Sequence, residues 1–169
     1  MNDIANSFAV IWALVGLQGL HWSLFFIVIM ERLKGFIDSP SRNHLVFTKG
    51  CMDGYEYLDI GLELSAHIED IIGDRRLSMR VQDMLNDILQ SHMGKSEDFG
   101  EYIALTNLGI LFEPLLKIDL EGFLNRWSQN TVLFMAIGKG AVEKKRFYLS
   151  KGCPITFSVS LEGINYIEI

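Results

Sequence analysis

The sequence predicts an α/β fold, a mainly parallel sheet flanked by helices, with a transmembrane helix at its N-terminus. Three observations carry that prediction. Tyr102 to Leu105 and Thr131 to Ile137 are short apolar runs rich in β-formers, as suits strands buried on both faces of a parallel sheet. Between them Leu116, Leu120, Phe123, Leu124 and Trp127 recur at helical spacing, so the stretch reads as a βαβ unit, the building block of α/β layers. Far upstream, Phe8 to Met30 runs for 23 residues without a charge, and about 20 apolar residues suffice to span a bilayer.

The N-terminal stretch is readable in more than one way. As a span it has Asp3 before it and Glu31, Arg32 and Lys34 directly after it, and the two basic residues on that side place the C-terminal domain in the cytoplasm. A cleaved signal peptide fits poorly, because no basic segment or Ala-x-Ala exit is present. In the rival reading Phe8 to Val15 is a first strand and Gly16 to Ser23 aligns with the phosphate-binding frame GxxxxGK[ST]. Gly16 and Ser23 match, and Gly19 adds a glycine within the loop. The positions of the second Gly and of the Lys hold His21 and Trp22. Leu24 to Met30 then lacks the polar face of a helix that flanks a sheet, which favours lipid. A third reading starts the protein at Met30.

Asp38, Ser39, Pro40, Ser41 and Arg42 break the chain, so the boundary between a hydrophobic segment (1–37) and an α/β domain (38–169) falls there. His44 to Thr48 reads as a strand, Lys49 to Gly54 as a turn, and Tyr55 to Ile60 as a second strand. Glu63 to Ile72 and Ser78 to His92 read as helices, the second with a core-facing stripe of Val81, Met84, Leu85, Ile88 and Leu89. Methionines 79, 84 and 93 fit gap-filling in a core better than an adaptable surface. GKSEDFG, from Gly94, is polar, and its Gly94-Lys95-Ser96 spells the end of a phosphate loop. That frame would have to start at Leu89, inside a helix. Gly138-Lys139-Gly140 opens a charged loop with no helix to follow it. Arg146 to Leu149, Ile155 to Val159 and Ile164 to Ile169 read as closing strands, antiparallel and close to an edge.

LFEPLLKIDLEGFLNRWSQNTVLFMAIGKG, together with LDIGLELS at Leu58 to Ser65 and Tyr148 followed by Gly152, Cys153 and Pro154, resembles the BrxF family of BREX phage-defence islands. The resemblance covers roughly His44 to Ile169. It implies a P-loop-NTPase-like fold and, in an active member, ATP with magnesium. The departures fall on the residues that chemistry needs. The family's magnesium-side Asp falls on Thr106, its Glu on Gly109, and its Ser-Arg-Asn-Arg run on Ser128, Gln129, Asn130 and Thr131. After the strand ending at Thr48 only about six turn residues remain where a phosphate loop and its helix would need more than twenty. The resemblance therefore implies a degenerate member that lacks the nucleotide cradle.

Composition narrows the remaining classes. A net charge of −6 and a pI near 5.2 argue against gripping nucleic acid, which takes clustered Lys and Arg. Cys51 and Cys153 are too few for a zinc cluster or a disulfide scaffold, and His21, His44, His67 and His92 show no ligand spacing. No GxSxG elbow supports a hydrolase built on Ser65 or the cysteines. The expectation is a non-catalytic interaction subunit of a BREX-like system, at the inner membrane with its domain in the cytoplasm, whose protein partners include a larger ATPase. No catalytic or metal-binding residue is assigned. The alternative is an ATP- and magnesium-dependent ATPase or sensor using the atypical loop with Gly16, Gly19 and Ser23.

Overall fold

A computed structural model describes residues 26–169. The chain divides into two units, Met1–Gly35 and Phe36–Ile169. Residues 26–37 are helical (α1), with Phe26, Ile27 and Val28 exposed. Among the described residues no helix is long and apolar enough to cross a membrane. Most of the expected span, and the loop with Gly16, Gly19 and Ser23, lie outside the described residues.

The second unit is α/β with a mainly parallel sheet. Its strands are β1 (Leu45–Thr48), β2 (Leu58–Asp59), β3 (Gly94–Ser96), β4 (Gly100–Thr106), β5 (Val132–Ala136) and β9 (Tyr166–Glu168). They lie in the order β2-β4-β5-β1-β9, all parallel, while β3 pairs antiparallel with the first half of β4 beside β2. A smaller antiparallel sheet holds β6 (Ala141–Glu143), β7 (Arg146–Tyr148) and β8 (Ser158–Ser160). The helices are α2 (Ile60–Ile68), α3 (Leu77–Ser91) and α4 (Leu120–Asn130).

Connection handedness explains the layering. The steps from β2 to β4, from β4 to β5 and from β5 to β9 all advance in one direction across the sheet, so right-handed crossovers put their connecting elements on one face. That face carries Leu45, Phe47, Ile103, Leu105, Leu133 and Met135, which join one core with Leu64 of α2, Leu85 of α3, Leu124 of α4 and Phe147 of β7. Phe123 and Trp127 lie on the buried face of α4, as their spacing predicts. The step from β1 to β2 runs the other way, and the loop 49–57 that makes it contains no helix. On the opposite face Val46, Ala104, Val132 and Phe134 are also buried, and the Tyr55 and Phe99 rings lie 5.0 and 5.9 Å from Phe134. Burial on both faces accounts for the unbroken apolar runs of β4 and β5.

Several expected elements are corrected. The strand expected from Tyr55 to Ile60 shrinks to two residues, because the side chain of Asp59 accepts the Leu62 N–H and starts α2 at Ile60. α2 then ends at Ile68 and passes into a 3₁₀ turn, Glu69–Ile71, where the pattern predicts helix to Ile72. Gly94–Ser96 is a strand where a polar loop is expected; any side chain at Gly94 would strike the Tyr102 ring. Leu116 precedes the crossover helix, which starts at Leu120 behind an Asp119 cap. The last strand, β9, is parallel to β1 and not antiparallel, because the small sheet carries the chain back to the end from which β1 starts.

The β6–β7 hairpin turns on Lys144 and Lys145, both left-handed at φ 49° and 57°. Two positive φ values suit Asn-Gly, and lysine there carries a cost. Replacing the pair with Asn-Gly is expected to raise stability by about 1–2 kcal/mol in urea unfolding. A lowered midpoint would contradict this.

Candidate functional site

Open parallel sheets bind ligands beyond the C-terminal ends of their strands, where neighbouring strands send their chains in opposite directions. In this protein that place is the β1–β5 boundary. β1 leaves toward the β2 edge, and β5 leaves toward the small sheet and β9.

Thr48, at the tip of β1, is buried, and its hydroxyl lies 3.5 Å from that of Tyr57. Burial raises the Tyr57 phenol above its ordinary 10.0, opposed in part by hydrogen bonds from the Thr48 hydroxyl and the Met52 backbone, so at neutral pH it keeps its proton and is not a base. Lys49 follows. Its carbonyl accepts the Gly138 N–H at 3.2 Å and its Nζ donates to the Gly140 carbonyl at 3.3 Å. Residues 137–140 form a turn closed by the Gly140 N–H on the Ile137 carbonyl at 2.7 Å, with Gly138 at φ +55°. A Cβ at Gly140 would lie 2.9 Å from two backbone carbonyl oxygens, so packing alone demands glycine there.

The tips of β2 and β4 carry a second cluster. Asp59 Oδ1 accepts from the Leu62 N–H and from Asn107 Nδ2, both at 2.8 Å. Asn107 is left-handed at φ 54°, and a side chain at Gly61 would strike it. Thr106 pairs with Asp59 at the strand tip. Asp59 is thus engaged in a helix cap and in a hydrogen bond from the Asn107 side-chain amide. Sequence reading passed over Asp59 and Asn107; the signal was an Asp directly before an apolar helical run.

The remaining candidates are dispersed. Gly94-Lys95-Ser96 forms β3 and makes no loop. Gly109 sits in the 3₁₀ segment Leu108–Phe112. Ser128 is buried, bonded to the Leu124 carbonyl and to Asn43, whose amide also reaches Asn125 and so ties the approach to β1 to α4. Gln129, Asn130 and Thr131 make bonds within the end of α4. The Ser65 hydroxyl bonds the Leu62 carbonyl, His67 the Glu63 carbonyl and His92 the Ile88 carbonyl. Cys51 and Cys153 are free thiols. Among the described residues no three His, Cys, Asp or Glu side chains are placed to hold a metal ion.

No family model, characterised protein or solved structure matches the chain.

Proposed function

We propose that the chain is a degenerate P-loop-like domain acting as a non-catalytic interaction subunit of a BREX-like phage-defence system, anchored in the inner membrane by Phe8 to Met30. One observation carries the non-catalytic part: the interior strand β1 continues into the helix-free loop 49–57. A phosphate loop needs a helix N-terminus after its strand, to aim backbone amides and the helix dipole at the phosphates. The tip of β4 adds support, with Thr106 and Asn107 where an acid would hold magnesium. A domain that keeps a sheet and lacks this machinery is suited to protein partners, a larger ATPase among them.

The test is magnesium-dependent ATP turnover by the full chain. None above buffer is expected, since phosphoryl transfer relies on positioned metal and positive charge. Turnover abolished by substituting Lys49, Lys95 or Lys139 would overturn the reading. Turnover abolished by substituting Gly16 or Ser23 would establish instead the ATPase with the N-terminal loop.

A further inference from the structure

We propose that the domain docks on the bilayer through the β6–β7 hairpin, setting Lys144, Lys145 and the cleft beside them against the headgroups of anionic phospholipids. This docking rests on the reading of Phe8 to Met30 as a membrane span. Lys144 and Lys145 are exposed at the hairpin tip, both at positive φ, where asparagine and glycine would sit at less cost. Where a folded chain keeps such a violation of local preference, function is the expected reason. Glu143 to Arg146 holds three bases and one acid in a chain of net charge −6, and among the described residues neither lysine is in an ion pair. Adjacent like charges held in a strained turn are relieved by a negatively charged surface.

Lys145 also lines an open cleft of about 690 Å³ with Phe36, Pro40, Ser41, Asn165 and Tyr166. The Asn165 amide donates to the Ser41 hydroxyl there at 2.8 Å. Apolar rings beside an ammonium, an amide and a hydroxyl suit a phosphodiester that is joined to acyl chains. The cleft lies where β1 and β9 begin, since Leu45 pairs with Tyr166, and so at the end of the sheet opposite the strand tips. Phe36 ties it to the span: even fully extended, the chain from Met30 to Phe36 covers only about 20 Å. A span ending at Met30 keeps the hairpin within reach of the leaflet, and tethering turns a weak affinity into a high local occupancy. The cytoplasmic leaflet carries a negative surface potential, and each lysine near it strengthens attachment about five-fold.

The experiment places the full chain in vesicles of phosphatidylcholine with or without phosphatidylglycerol, recovers the vesicles by flotation, and follows acetylation of each lysine at low salt by mass spectrometry. Lys144 and Lys145 should be acetylated at least about five-fold more slowly when phosphatidylglycerol is present, and high salt should restore the rate. Lys139 and Lys151, bonded to each other's backbone at the other end of the sheet, should react alike in both vesicles. Lys144→Gln should return Lys145 most of the way to its rate in phosphatidylcholine, since one of the two charges is gone. A chain that floats with both vesicles yet shows the same Lys145 rate in both, or equal slowing at Lys139 and Lys151, overturns the docking and leaves the span standing. A chain that floats with neither overturns both.

Discussion

Phe47→Ala is expected to destabilise the domain by about 3–5 kcal/mol, the usual cost of emptying a buried aromatic site. Phe47 is 1% exposed in the interior strand β1, its ring 5.2 Å from that of Phe147 and 5.8 Å from that of Tyr166. Phe147 in turn meets Phe112 at 5.7 Å. One ring therefore joins the main sheet, the small sheet and the 3₁₀ segment after β4. A typical domain is held by only about 5–15 kcal/mol, so the variant should lose a large share of its stability and unfold at a much lower urea concentration. Phe147→Ala should be costly too, and the double variant should cost less than the sum, because the two rings share one cavity. A loss for Phe47→Ala below about 1 kcal/mol would show that the small sheet and the main sheet do not share a core.

The second large effect is a partition between fractions. If Phe8 to Met30 is a span, the full chain should pellet with membranes and need detergent for release, while a chain beginning at Glu31 should be soluble and folded. The stretch has only Gln18, His21 and Ser23 as hydrogen-bonding polar side chains apart from its two tryptophans, and tryptophan is at home at the membrane interface. If the stretch instead supplies a strand and helix to the domain, its removal bares apolar surface. At about 25 cal/mol per Å² that loss exceeds the margin holding a domain together, and the shortened chain aggregates. A full chain that stays soluble without detergent, beside an insoluble shortened one, would end the membrane proposal.

The parallel core was legible because burial on both faces writes itself into composition. Tyr102 to Leu105 and Thr131 to Ile137 fall inside or within a residue of β4 and β5, and the Val81 to Leu89 stripe marks the buried face of α3. Direction and edges were not legible. The apolar residues of Ile164 to Ile169 report burial but not which way a strand runs, so the parallel pairing of β9 with β1 had to come from the fold. β3 was hidden because Gly94, Lys95 and Ser96 have polar or absent side chains, and that strand is held by backbone pairing to β4 alone. The candidate site was legible only in pieces. Gly138-Lys139-Gly140 reads as a charged loop and Lys49 to Gly54 as a turn, and nothing local reveals that segments so distant in the chain are hydrogen-bonded neighbours.

The interior place of β1 also governs how this chain folds. The first strand of the domain has no partner nearby in sequence, since Leu45 pairs with Leu133 on one side and Tyr166 on the other. Such distant pairings carry a large loop-closure cost before they return any stability, and sheets built this way form slowly. The β4–α4–β5 unit, whose strands are joined by a single crossover, can assemble first and offer β1 its docking edge. Until it does, Leu45, Val46 and Phe47 remain an unpaired apolar strand, open to wrong partners in a crowded cell. Recovery of soluble protein should therefore depend on how slowly the chain is made and on which chaperones attend it, more than on the final strength of the core.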